Sequence, residues 1–397
     1  MDFRVIYYHR LSFPSGSGQT IAVIRDYFEL SKHVGRVDLF YRAEAALATD
    51  DLAQALAAHG VQPTSAFALH CIPNGWFGKT RLRREVTQLV RADKTPVVIV
   101  VRAFAQAQAA IAIRTLVDQP TVRVVMELHE NPFPYLRWQE MGRRFKAAVS
   151  RQRSKWIYTN IDAAVCTAQP QIAYFQALSK SKTPTWLYPN GYPDLLFETD
   201  TTDQSRPNDG RFHLAYAGRL SAWKNPEVMM AALQYLPKQF VLEIAGGRLG
   251  EDDATRAALA QKAAEIGVAE RVTYHGFLDP VKVPDFLRAA DCLILPLGNT
   301  LEARLFTSPI KLFEYAASGV PMVVTRHPST ESLVQDGKQA LMVPPDQPSA
   351  LARAVKRIAE DRALAEGMAG NAKAWVADYR LDRRAQSYRT KMETLFY

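Results

Sequence analysis

The chain reads as an α/β protein built from two Rossmann-like domains. Three observations predict this. At 397 residues it exceeds one ordinary core, since a prior of roughly 150 residues per domain allows two or three. Short β-rich runs alternate with helical stretches along the whole chain, the pattern of parallel sheets covered by helices on both faces. Two segments far apart, one opening the chain and one starting near residue 211, each read as a strand, a glycine turn and a helix.

In order, FRVIYYH (3–9) is an apolar strand, FPSGSGQT a glycine loop, and 21–30 a helical pattern. Gly16 and Gly18 allow close backbone approach by a ligand, although the full GxGxxG fingerprint is absent. Strands follow at 36–42, 66–72, 96–103, 122–128, 162–168 and 185–189, with helices at 51–59 and 105–117 between them. ELHENP places His129 just past a strand's carboxyl end, where open α/β sheets bind ligands; as a bare position it equally suits a histidine that caps or fills the loop.

Residues 135–156 read as one basic amphipathic helix. Trp138, Met141, Phe145, Val149 and Trp156 form its stripe; Arg137, Arg143, Arg144, Lys146, Arg151, Arg153 and Lys155 lie outside it. Packing of the stripe on the core and adsorption to a membrane surface both stand as readings. PNGWFGKTRLRR (73–84) adds Trp76 and Phe77 on a glycine-flanked loop beside further bases. A polar stretch at 198–210 suits a linker.

The second domain opens with RFHLAYAGRLSAWKNP (211–226): a strand to Ala217, the Gly218–Arg219 turn, and a helix after Lys224 and Pro226. Two cations at a strand's carboxyl end suit a departing diphosphate, because Arg forks to its oxygens and Lys acts as a point charge. Strands at 240–247, 271–277, 291–297, 321–326 and 340–344 complete a second sheet, and helices follow at 350–360 and 378–397.

TSPIKLFEYAASGVPMVVT (307–325) is the most informative stretch. Ser308 is placed to cap a helix with Pro309 at its first position, and Gly319 ends it. At about 100° per residue, Ile310, Leu312, Phe313, Ala316 and Ala317 share one half of the wheel, with Lys311, Glu314, Tyr315 and Ser318 on the other. Free amides at such a terminus attract phosphate, and a fixed carboxylate accepts hydrogen bonds from ribose hydroxyls; a solvated glutamate is the bland alternative.

SPIKLFEYAASGVP, with Gly-Arg-Leu and Lys-Asn-Pro before it, resembles retaining nucleotide-sugar glycosyltransferases of family four. The resemblance implies the GT-B fold, two Rossmann-like domains facing across a cleft, with the C-terminal helix crossing back to the first. It divides the chain into an acceptor-side domain at 1–205, a donor domain at 206–375 and the returning helix at 376–397. It implies that Ser308 takes the diphosphate, Glu314 the ribose, and Arg219 and Lys224 the leaving-group charge. The same resemblance makes Gly16, Gly18, Gly218, Pro309 and Lys311 donor-binding, and sets His129 at the donor sugar or acceptor. Where the family has a further glutamate this chain has Phe306, with Glu302 and Arg304 nearby as substitutes.

The implied reaction uses no cofactor and no metal. It moves a sugar with retention from a nucleoside-diphosphate sugar, UDP ahead of GDP, to a saccharide or lipid-linked acceptor in bacterial polysaccharide or glycolipid synthesis. A nucleotide-sugar epimerase and a non-catalytic nucleotide-sugar sensor are the alternatives.

A net charge of +9 and a pI near 9.4 favour anionic surfaces. No nucleic-acid motif accompanies the charge, so a membrane fits better, through Trp76, Phe77, Arg143, Arg144 and Lys146. No long apolar run or signal-peptide pattern is present, so the expectation is a cytosolic protein, peripheral at the membrane's inner face. Cys71, Cys166 and Cys292 lack metal-ligand spacing and are expected to be reduced thiols.

Overall fold

The computed structural model describes residues 1–13, 18–43, 46–57, 60–62, 64–74, 77–92, 94–129, 131–198, 209–220, 222–247 and 252–397. The chain divides into two compact units, Met1–Tyr188 with Leu381–Tyr397, and Pro189–Arg380. The division thus falls between Tyr188 and Pro189 where the sequence placed it at 205, and the returning segment begins at Leu381 where it placed 376. The boundary follows contacts: Tyr192 pairs with Arg380, and Asn190 bonds Ser308, before the polar stretch begins.

The first unit alternates β1 (Arg4–Ser12), α1 (Gly18–Ser31), β2 (Arg36–Ala43), α2 (Thr49–Ala57), β3 (Phe67–Pro73), α3 (Gly78–Ala92), β4 (Val97–Val101) and α4 (Phe104–Val117). It continues through β5 (Val122–Leu128), α5 (Pro134–Glu140), α6 (Arg144–Asn160), β6 (Ala163–Cys166), α7 (Gln169–Ser179) and β7 (Thr185–Leu187). Its sheet runs β3-β2-β1-β4-β5-β6-β7 with parallel pairings.

The central strand shows why: Val97, Ile99 and Val101 enter one apolar cluster, Val98 and Val100 the other. A strand buried on both faces has to be apolar at every position, and β4 is. Helices α3, α4 and α6 cover the first face and α1 the second.

The second unit holds α8 (Asp194–Glu198), β8 (Phe212–Gly218), α9 (Pro226–Ala232), β9 (Phe240–Gly246), α10 (Asp252–Glu265), β10 (Val272–Gly276), α11 (Val283–Arg288) and β11 (Cys292–Leu295). It then has α12 (Ile310–Ser318), β12 (Met322–Thr325), α13 (Pro328–Glu331), β13 (Leu341–Val343), α14 (Pro348–Glu360) and α15 (Arg362–Val376). Its sheet runs β10-β9-β8-β11-β12-β13, again parallel.

The last helix, α16 (Leu381–Glu393), belongs to the first unit. Its Arg384 is buried and bonds Asp26 at 2.7 Å, while Tyr388 stacks on Tyr188 with centroids 4.4 Å apart.

Two expectations need correction. The basic segment is two helices rather than one, because Gly142 takes φ +68° and breaks the ladder between α5 and α6. Four residues of its stripe do not pack inward, Phe145 at 82% exposed and Met141, Val149 and Trp156 also in solvent; the side chain of Trp138 lies outside the described residues. Of the thiols, Cys166 and Cys292 are buried, and burial raises Cys166 to about 12.

Candidate functional site

Each sheet has a strand-order switch, between β1 and β4 in the first unit and between β8 and β11 in the second. The carboxyl edge beside such a switch is the ligand edge of an open α/β sheet, and the charged residues gather there in both units.

In the second unit, β8 ends at Gly218 and β9 at Gly246. Gly246 has φ +137°, and a Cβ there would stand 1.8 Å from the Gly218 carbonyl oxygen. Only glycine lets these two strand ends meet. A Cβ on Gly218 would lie 3.5 Å from Lys311 Cε, so the Lys311 stem runs across this glycine. Lys311 Nζ donates to Glu314 Oε2 at 2.6 Å, and Glu314 is only 9% exposed. The solvated-glutamate alternative therefore fails.

Lys224 ends a single 3-10 turn, Ala222–Lys224, that the rest of the unit holds in place. Trp223 O accepts from Gly298 N at 2.9 Å. Asn225, in the left-handed region at φ 44°, donates through Nδ2 to Asp346 Oδ1 at 2.6 Å. The Lys224 ammonium stands 3.9 Å from the Trp223 ring centroid. Burial, with the Lys311 charge second, lowers its pKa to about 8. Arg219 is exposed, and its carbonyl accepts from Tyr216 Oη at 2.9 Å.

The helix start differs from the expected cap. The helix begins at Ile310 with Pro309 as the capping residue and no side-chain cap bond. Buried Ser308 instead accepts from Asn190 N at 2.9 Å, and its carbonyl accepts from Asn190 Nδ2. Tyr315, expected on the polar half, is fully buried and accepts from Ala217 N at 3.1 Å, which ties α12 to the end of β8. Phe306 is buried in a π-helical turn, Glu302–Phe306, while Glu302 and Arg304 are exposed.

In the first unit Glu127, at the end of β5, is the hub. Its Oε1 accepts from Tyr27 Oη at 2.8 Å and Tyr388 Oη at 3.2 Å, and its Oε2 from Arg102 Nε at 3.2 Å. His129 Nε2 lies 2.5 Å from Arg102 Nη2 and 3.2 Å from Glu127 Oε2. Burial and then Arg102 lower the His129 pKa, so at neutral pH the imidazole is neutral and Nε2 accepts from Arg102. The remaining proton is therefore assigned to Nδ1.

Beside it, Gln106 Nε2 donates to His9 Nδ1 at 2.5 Å, while Gln106 Oε1 accepts from the backbone of Ala103 at 3.0 Å. Arg102, Gln106 and His9 were not singled out from the sequence, nor were Gly246, Asn225 and Asp346. Only the strand order, which sets β1 beside β4, could have drawn attention to His9.

Gly18 opens α1, Phe77 is 80% exposed before α3, and Arg143, Arg144 and Lys146 are exposed. Gly16 and Trp76 lie outside the described residues. Among the described residues no group of three or more His, Cys, Asp or Glu is placed to hold a metal ion, and no helix is long and apolar enough to cross a membrane.

Paired parallel α/β units, each with its charged groups at a strand-order switch, define the GT-B class of fold. Residues 198–375 match the model of the glycosyl transferases group 1 family. The chain is 28% identical over 188 residues to the D-inositol 3-phosphate glycosyltransferase of Streptomyces griseus, a stretch covering 46% of this chain and 38% of that relative.

Its fold is similar to that of HepE from Anabaena, solved with UDP and glucose, with TM-score 0.72, 18% identity, and 99% and 100% of the two chains covered. Sucrose-phosphate synthase from Thermosynechococcus elongatus gives TM-score 0.70 and 21% identity over 100% and 99%.

Proposed function

We propose that the chain transfers a sugar from a nucleoside-diphosphate sugar, UDP ahead of GDP, to a saccharide or lipid-linked acceptor hydroxyl with retention of configuration. The observation that carries the reading is the grouping of Lys224, Lys311 and Glu314 around the end of β8. Lys311 occupies Oε2 of Glu314, so Oε1 takes the ribose hydroxyls. With a pKa of about 8, Lys224 is mostly charged at pH 7 yet poorly hydrated, which strengthens its attraction for a diphosphate.

In the transfer, the bond from the anomeric carbon to the phosphate oxygen breaks and the acceptor oxygen bonds that carbon on the same face. The acceptor's proton passes to the departing phosphate. Lys224, Arg219 and Lys311 supply the charge that receives it, and the reading assigns no step to a metal or cofactor. Binding of UDP and of a sugar by HepE supports the donor class. In the first unit, neutral His129 offers Nδ1–H to a sugar hydroxyl.

Polysaccharide or glycolipid synthesis at the inner face of the cell membrane is the proposed setting. The buried Phe306, where a carboxylate would be usual, favours one second reading, a sensor that binds donor without turning it over.

Incubation with UDP- and GDP-sugars, with release of free nucleotide diphosphate as the readout, separates the two. Binding without release would leave the sensor. Glu314→Gln should weaken UDP binding about tenfold by calorimetry, through loss of charge-assisted hydrogen bonds. Unchanged affinity would remove Glu314 from the site.

A further inference from the structure

Helix α6 carries apolar side chains on the face that should cost most in water. Ala147, Ser154, Ile157 and Tyr158 form its buried face. On the opposite side of the wheel lie Phe145, Val149 and Trp156, which are 82%, 54% and 43% exposed. Bases border this face on both sides, Arg144, Arg151 and Lys155 along one margin and Lys146 and Arg153 along the other. Such a helix is apolar twice, once toward the core and once away from it.

The arrangement extends beyond one helix. α3, α4 and α6 contribute to the same apolar cluster, so they form one layer on one face of the seven-stranded sheet. Phe77, 80% exposed, immediately precedes α3, whose Lys79, Arg81, Arg83 and Arg84 are exposed. Met141, 50% exposed, precedes α6. One layer therefore shows aromatic and aliphatic side chains among bases.

We infer that this layer docks on an anionic lipid bilayer, with α6 lying in the plane of the headgroups. Phe145, Val149 and Trp156 enter the acyl boundary while the bordering bases meet lipid phosphates. The inference rests on the peripheral-membrane part of the function proposed above and gives it a surface and an orientation. A nucleic acid would satisfy the bases but leave Val149 and Met141 in water, and an isolated basic patch would need no apolar centre.

The test is co-sedimentation of the whole chain with vesicles of phosphatidylcholine alone or mixed with phosphatidylglycerol, alongside UDP calorimetry on the same samples. Binding is expected to the mixed vesicles only, and to weaken as salt rises. Arg144→Glu, Arg151→Glu and Lys155→Glu together should lower partitioning at least tenfold. Phe145→Ser with Val149→Ser, both at exposed positions, should do the same.

No binding by the wild-type chain at low salt overturns the inference. So does loss of binding in the charge variant with none in the Phe145/Val149 variant, which would point to an acidic protein or other charged partner. UDP binding without vesicle binding leaves the donor reading standing and removes the surface; vesicle binding without UDP binding does the reverse.

Discussion

Lys224 is the residue whose environment says most about its task. A lysine in water titrates near 10.4, but here burial and Lys311 bring it to about 8. Its charge is present below that value and is lost as pH rises through it. Turnover should therefore decline above about pH 8, and Lys224→Arg, which stays charged, should keep activity to higher pH while lowering its maximum. A pH profile of nucleotide release checks this. Lys224→Ala and Arg219→Ala should each reduce kcat by roughly 10²- to 10³-fold without changing Tm appreciably, the usual consequence of removing one donor to a developing anion. Near-normal turnover in both variants would clear these cations of the role.

At the scale of elements, the site depends on how strand ends and turns are fastened. The 3-10 turn bearing Lys224 is short, and it is fixed from outside by Gly298 and Asp346. The ends of β8 and β9 touch through Gly218 and Gly246. Gly246→Ala must either abandon φ +137° or push the Gly218 carbonyl away. It should cost more than about 1 kcal/mol, read as a lower Tm, and weaken UDP binding with it. Gly142→Ala, where a Cβ would meet nothing within 4 Å, should cost only the strain of its positive φ. The contrast distinguishes crowding from backbone strain alone.

For the whole molecule, α16 reaches the hub of the first unit through Tyr388, which shares Glu127 Oε1 with Tyr27. Although burial alone would raise Glu127, the groups around its carboxylate, His129, Arg102 and Tyr27, hold it at about 2. A carboxylate lowered from about 4.5 stabilises the fold above its unfolded value and loses that contribution as pH falls toward 2. Acid unfolding of the wild-type chain should therefore steepen over that range. Glu127→Gln should flatten this limb and lower Tm at pH 7, and circular dichroism across pH would show an unchanged limb if the hub were inert.

The sequence by itself determined the class of fold and drew attention to short motifs of the second unit, because both leave local traces. Doubly buried strands must be continuous apolar runs, and β4 and β11 read that way. Gly218, Lys224 and the segment from Ser308 to Glu314 are consecutive in short motifs. Tertiary structure alone decided which residues meet from different strands. His9 and Gln106 are joined only because β1 lies beside β4, and Asn225 meets Asp346 only because the sheet is ordered around β8 and β11. It also decided the orientation of α6, since periodicity shows that an apolar stripe exists but not whether a core or solvent faces it. Two stripes compete for one sheet in that helix. Helix α6 packs on α4, the small side chains of Ala147 and Ser154 are buried with Ile157, and the bulkier Phe145, Val149 and Trp156 are left outside.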